Sequence, residues 1–437
     1  MARRHAFAAL AVSFLADLEA AMNAEPQTFP GTAEFTDTWD ILIIGAGPAG
    51  AVAARQLALA GLDVLLVDRK AFPRRKVCGG CLNERALAGL ARAGVLDAVR
   101  GLHGVALDVF LLQAGGARVE LPSGGGWAVS RAALDLVLVQ EAQRAGATVW
   151  SETAAIVGSL AGNVRRVELR RGSAVGQDAA AQTVAARVVL VADGLGHPSM
   201  NHGPEFTELR RSEKAGTRNS RIGAGCEVAV VPASFRRGTI HMLVGRGGYV
   251  GVTQLETGRW NIAAALDPEF VRQRGSLGAA AIALLHEAGS EPIPDLATAD
   301  WQGTSLLTRS VTRVAAERLF VLGDAAGYVE PFTGEGMACA IESALALSPL
   351  AVAACREWQP DLMSQWQERH RQVMRGRAWL CRGLAAALRR PWLVRTCLVM
   401  LRYAPQLAMP IVRRLNTPSR LAETPIDRRS NSEGPRT

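Results

Sequence analysis

Residues 39–70 read WDILIIGAGPAGAVAARQLALAGLDVLLVDRK, in which two short apolar runs, 40–44 and 63–68, flank a glycine-rich turn and an alanine-rich stretch. Short runs apolar at every position suit strands buried on both faces, and the intervening stretch suits the crossover helix of a βαβ unit. The same pattern returns at 187–192 (RVVLVA) and at 319–323 (LFVLG), which predicts further strands of one parallel sheet. Helices are predicted around 84–93 and over 131–145. Between 219 and 267 the pattern changes to alternation, with Glu256-Thr257-Gly258 as a hairpin turn, so an antiparallel second sheet is expected. Beyond about residue 355 the chain reads as helical, apolar and basic.

The expected fold is therefore α/β: a Rossmann-type βαβ parallel sheet, an inserted antiparallel sheet and a helical C-terminal region. The expected division assigns 39–110, 127–200 and 305–355 to the nucleotide domain, and 111–126 with 201–304 to a substrate domain. The helical region is 356–427. Residues 1–38 are expected to be a dispensable extension, because the apolar run 6–16 is shorter than a membrane span and Asp17 and Glu19 follow it at once. Residues 428–437 are expected to be disordered.

Composition narrows the classes. A chain of 437 residues with 49% hydrophobic and 20% charged residues reads as globular. Its net charge of +9 favours acidic partners, but the excess is concentrated in the last sixty or so residues and no basic-aromatic module accompanies it. No nucleic-acid partner is expected. The seven cysteines are odd in number and irregularly spaced, which argues against a secreted disulfide framework and suggests reduced thiols in the cytoplasm. Cys78 and Cys81 form a C-x-x-C with no second pair, so no metal site is expected. The run 378–416 carries arginines every few residues, which argues against a simple span. Two readings stay open for it: a helical cap on the nucleotide domain, or a basic amphipathic surface making peripheral contact with anionic lipid.

Gly45, Gly47 and Gly50 form G-x-G-x-x-G between a strand and a helix. The first glycine allows the tight turn, the second the approach of a pyrophosphate, and the third close packing of helix on strand. The helix N-terminus adds free N–H groups and a positive dipole end. Asp68, eighteen residues past Gly50, ends the second strand where a carboxylate can hold a ribose diol, and Arg69 follows it. This unit suits FAD and NAD alike. The later motifs favour FAD. Gly323-Asp324 ends a buried strand, as a carboxylate on the ribityl or ribose hydroxyls requires. Gly327, Gly334 and Gly336 then open a helix whose amides suit the flavin N1/O2 edge, where negative charge collects on reduction. Asp193-Gly194 ends another strand.

Together these segments resemble the flavoprotein superfamily of p-hydroxybenzoate hydroxylase and the geranylgeranyl reductases. The resemblance runs from about residue 39 to residue 350 and implies a glutathione-reductase-like FAD-binding domain with an inserted substrate sheet. By it, Gly323-Asp324 matches the family's GD motif and Asp193-Gly194 its DG motif. Arg131 in VSRAALD matches an arginine that contacts FAD. FPRRKVCGGCLN (72–83) resembles the reductase segment that places a cysteine, here Cys78, beside the flavin. Tyr249 is the residue retained from an aromatic cavity segment of the archaeal reductases. Gly251, Thr253 and Gln254 take the other places, which implies a wider, more polar pocket and a bulky aromatic or polyketide-like substrate. Cys78 and Tyr249 are the candidate catalytic residues; His241 and His197 are read as structural. The expected activity is that of an FAD-dependent oxidoreductase on a small hydrophobic or aromatic molecule, with NADH or NADPH as donor. Double-bond reduction and flavin-hydroperoxide hydroxylation stand side by side, with a non-catalytic flavin protein at the membrane surface as the alternative.

Overall fold

The structure is a computed structural model and describes residues 38–172, 181–196, 198–200, 206–210, 220–309, 311–328, 330, 334–374 and 377–417. The expected extension (apart from Thr38), the 428–437 tail and His197 lie outside these residues.

The nucleotide sheet runs Ala315–Ala316, Leu319–Val321, Ala181–Val191, Thr38–Ile44, Val64–Val67, Thr148–Trp150. Its central pairings are parallel, with Ile41 opposite Val188 and Ile44 opposite Val67. Every residue of Val64–Val67 and Leu319–Val321 is buried, which explains why these strands show no alternation. Helices Pro48–Leu59 and Arg131–Arg144 pack on each other, and the 22-residue helix Glu335–Arg356 packs on Pro48–Leu59 and on Glu84–Ala93. An antiparallel ribbon, Thr153–Ala161 and Val164–Arg171, extends the sheet along the first half of Ala181–Val191. Its charged sequence, VRRVELRR, masks the alternation, in which Arg165, Val167 and Leu169 are the inward positions.

The second sheet has seven strands in the order Gln302–Leu306, Ile222–Val228, Trp260–Leu266, Gly248–Gln254, Thr239–Gly245, Val109–Ala114, Ala117–Pro122. The hairpin at 256–258 joins two of them. Val109–Ala114 pairs in parallel with Thr239–Gly245, with Leu111 opposite His241. Side chains alternate across this sheet. Leu243, Val250 and Val252 pack under the helix Leu277–Ala288, while Met242, Val244 and Tyr249 face the other way. That second face receives Leu388, Val394 and Leu398 of the C-terminal helices Arg377–Ala387 and Pro391–Tyr403 and the turn between them. Arg377–Ala387 and Pro391–Tyr403 therefore cap the substrate sheet, which corrects the reading of this run as a cap on the nucleotide domain, whereas Asp361–Met374 does pack on Glu335–Arg356 of that domain. The unpaired apolar face of the inserted sheet is what the two capping helices cover.

Candidate active site

The phosphate loop is built by close approach. Gly45 adopts φ +100°, and a Cβ there would lie 2.5 Å from Ala192 O; a Cβ on Gly50 would lie 1.9 Å from Gly45 O. Only glycine fits at either position. Gly47 differs, since its nearest neighbours would be the guanidinium groups of Arg74 and Arg131 at 3.8 Å. Gly47 is the N-cap of Pro48–Leu59, with Pro48 at the first helical position, where its missing N–H costs nothing. Helix amides and two guanidinium groups thus converge on one point, a donor set that fits a pyrophosphate.

The carboxylates around this point are organised by arginine. Asp68 is buried and accepts from Ala46 N at 2.8 Å and Lys70 N at 3.0 Å, and Arg74 Nη2 lies 3.2 Å from it. The same Arg74 nitrogen is 3.5 Å from Asp135. Asp135 holds Arg131 by two hydrogen bonds of 2.9 Å, and Ser130 caps the helix that carries both. Arg69, by contrast, is exposed at the strand end and does not line the cavity. Asp193 also turns away from it: Oδ2 accepts from Ser199 N at 3.1 Å and Oγ at 2.6 Å, and burial pushes its pKa up. At this strand end the wall is formed by Ala192, Gly194 and Leu195.

One cavity of about 340 Å3 begins at Gly47 and runs between the two sheets. Lys76, Cys78, Arg131, Asp324, Gly334 and Gly336 all line it. Gly323 does not reach it, but its N–H donates to Ser343 Oγ at 3.0 Å and a Cβ there would lie 2.8 Å from Ala49 Cβ, so it lets the two glycine loops meet. Gly334, in the left-handed region at φ +74°, is the N-cap of Glu335–Arg356 and aims that helix's free amides into the cavity. Arg85, fully buried, pairs with both Glu335 and Glu342 of the same helix, and Asn83 Nδ2 donates to Glu335 Oε1 at 2.9 Å. The helix end is thereby fixed from behind.

Two residues here were missed in the sequence reading. Lys76 is half-buried in the cavity wall, and burial and then the Arg131 charge pull its pKa below the ordinary lysine value, against the attraction of Asp324. Asp324 in turn is pushed up by burial, opposed by Lys76 and Arg131. In FPRRK, Lys76 reads as one more solvated loop cation. Tyr328 lines the same cavity, with a ring carbon 3.2 Å from where a Gly336 Cβ would lie. Burial, with Asp324 and Cys78 nearby, raises its phenol pKa well above the usual value, so it remains an O–H donor. Its place directly after Gly327, in a chain with only three tyrosines, was the available signal.

Cys78 and Tyr249 line this one cavity as well. The Cys78 thiol interacts with Arg131. Tyr249 is buried on the substrate sheet, where its hydroxyl bonds to Glu330, itself held by Arg221 at 2.7 Å. His241 faces away: Nε2 accepts from Arg236 N at 2.9 Å, and the ring packs on Phe235. Within the 249–254 segment Gly251 and Thr253 line the cavity as Tyr249 does, whereas Gln254 does not. Gln254 Nε2 donates to Gly258 O at 3.0 Å in the hairpin, and Thr253 Oγ1 lies 3.9 Å from Cys81 Sγ. The far half of the cavity is instead apolar, with Phe110, Leu112, Met242, Leu401, Val412 and Leu415 in its wall.

A cleft that gathers two glycine loops nearly three hundred residues apart in the chain is suited to an extended dinucleotide with a redox ring at one end, and this protein is an FAD-dependent oxidoreductase. It belongs to the FAD binding domain family, which it matches over residues 38–377. It is 27% identical over 352 residues to digeranylgeranylglycerophospholipid reductase 1 of Methanothermobacter thermautotrophicus, spanning 73% of this chain and 78% of that one. It is 26% identical over 350 residues to digeranylgeranylglycerophospholipid reductase 2 of Methanopyrus kandleri, spanning 76% and 82%. Menaquinone reductase of Mycolicibacterium smegmatis is 45% identical over 86 residues, 19% of this chain and 20% of that one. Among solved structures, a flavoprotein/dehydrogenase from Cytophaga hutchinsonii superposes with a TM-score of 0.66 at 20% identity, covering 86% of this chain and 96% of that one. A p-nitrophenol 4-monooxygenase from Pseudomonas putida superposes with a TM-score of 0.65 at 16% identity, covering 87% and 98%. These two likenesses are of fold.

Proposed function

We propose that the protein reduces a carbon–carbon double bond of a long apolar, isoprenoid-type substrate, with NADH or NADPH as the source of electrons. The observation that carries this reading is the apolar extension of the cavity, from the Cys78 and Gly336 end to Leu401 and Leu415. A chain-like substrate can bury its length there, while a small phenol leaves most of that wall uncovered. The relatives of similar length, named as reductases of a digeranylgeranyl lipid, point the same way.

FAD would be held by Gly47, Arg131, Asp324 and the amides at Gly334, and when bound it supplies two-electron transfer. This chain's own residues supply the rest. Tyr328 holds a proton at its Oη within the wall, and the Cys78 Sγ stands beside Arg131 as a second candidate donor. Reduction of a double bond needs a hydride at one carbon and a proton at the other, and either group meets the second requirement.

The test is anaerobic. Enzyme reduced by dithionite is mixed with a geranylgeranyl lipid or a polyprenyl quinone, and flavin reoxidation is followed with the product mass. A product gaining two hydrogens without oxygen is expected. Turnover only in air, with one oxygen atom added to an aromatic substrate, would replace reduction by hydroxylation.

A further inference from the structure

We propose that the outer face of the C-terminal helices docks the protein on an anionic lipid bilayer, with the rim of the cavity at the contact. The surface is defined by charge and exposure together, independently of the reaction catalysed. Residues 377–416 contain eight arginines and no aspartate or glutamate, so this one stretch carries a charge of +8 in a chain whose net charge is +9. In Pro391–Tyr403 the inner face is Val394 and Leu398, buried on the substrate sheet. Arg395, Val399, Arg402 and Tyr403 of the same helix are all exposed.

That face is apolar as well as basic. Val399 and Met400 are each 53% exposed, Leu407 61% and Tyr403 82%. Most of the large apolar residues left exposed among the described residues belong to this segment. Ile411, four residues beyond Leu407, is 39% exposed and also lines the cavity, so an exposed residue of this segment forms part of the cavity rim. Arg413 and Arg414 follow, both exposed. Large apolar side chains and a tyrosine ringed by arginines, with no acid among them, match a surface of anionic headgroups over acyl chains. An acidic protein would account for the arginines and leave the apolar residues unexplained.

Sedimentation of the FAD-loaded full chain with vesicles tests this. Binding is expected to phosphatidylglycerol-containing vesicles, at least tenfold weaker to pure phosphatidylcholine, and weakened by added salt. The pair R413Q/R414Q is expected to lower binding about tenfold, and Y403S/L407S to lower it comparably while leaving flavin absorbance and melting temperature unchanged. Absence of vesicle binding, equal binding to both lipids, or binding untouched by either pair overturns the proposal. So does a dimer that Y403S/L407S dissociates in the absence of vesicle binding, since a second copy would then be the occupant.

Discussion

Arg131 is clamped to Asp135 by two hydrogen bonds of 2.9 Å, from Nε to Oδ1 and from Nη2 to Oδ2, while the same guanidinium lies beside Gly47 at the head of the phosphate loop. Asp135 is fully buried and also faces Arg74, so one carboxylate orients two cations toward one place. A planar fork held this way is preorganised for a second anion.

From this, Arg131→Ala is expected to weaken FAD binding by roughly 10- to 100-fold, the size of a charged hydrogen bond at about 1.5–3 kcal/mol. Arg131→Lys keeps the charge and loses the fork, so it should fall between. Fluorescence titration of apoprotein with FAD measures both, and unchanged affinity in Arg131→Ala would remove this residue from the site.

The glycines of the phosphate loop separate folding from binding. Gly50→Ala drives a Cβ to 1.9 Å from Gly45 O, in backbone that cannot yield, and should abolish soluble protein or lower its melting temperature sharply. Gly47→Ala meets nothing nearer than 3.8 Å and should leave the apoprotein's melting temperature intact while costing FAD affinity, since the added methyl occupies the pyrophosphate's approach. Thermal melts with and without FAD distinguish the two.

These glycines were legible because the motif that carries them is local, with strand, turn and helix within thirty residues, although the atom that crowds Gly45 comes from distant Ala192. The apolar strands 40–44 and 319–323 were legible for the same reason. What escaped depends on distant partners. Arg85 sits on a helix where it reads as a solvated face, and only the fold brings Glu335 and Glu342 to it from about 250 residues away. Lys76 reads as a loop cation until Asp324 arrives opposite. Arg69 and Asp193 differ in the other direction: a strand end carries a carboxylate or cation to the right neighbourhood without deciding which way it points, and neither side chain lines the cavity.

Arg85 gives a stability prediction. Arg85→Met strands two buried carboxylates and should destabilise by about 3–5 kcal/mol. Adding Glu335→Gln and Glu342→Gln removes the uncompensated charge and should recover part of that loss. Urea unfolding of the FAD-loaded variants reads both. No recovery would mean that shape, rather than charge, makes Arg85 necessary.

Acid sensitivity should come from two buried histidines. Burial holds His241 and His370 at pKa values of about 4, against an ordinary 6.5. The unfolded chain takes up a proton near pH 6.5 and the folded chain only near 4, so stability is complete above 6.5 and falls as the pH drops through that interval. Below about 4 these groups add no further loss. The full effect is ~3 kcal/mol for each histidine, at 1.36 kcal/mol per pH unit. The double variant His241→Gln, His370→Gln should lose less stability between pH 7 and pH 4.5 than the parent. Equal losses would assign the acid response to other groups.

The two cavity tyrosines should divide by role. Tyr249 spends its hydroxyl on Glu330, within the pair that Arg221 completes, so Tyr249→Phe should cost about 1 kcal/mol of stability and leave turnover within a few-fold. Tyr328 stands over Gly336, at the helix end that faces the cavity, with its proton retained by burial. If it delivers the proton, Tyr328→Phe should lower anaerobic turnover by roughly 10²- to 10⁴-fold with FAD content and melting temperature unchanged. Cys78→Ser places an O–H donor beside Arg131 and should cost much less. Should Cys78→Ser be the crippled variant and Tyr328→Phe the active one, the proton comes from the thiol and Tyr328 is wall.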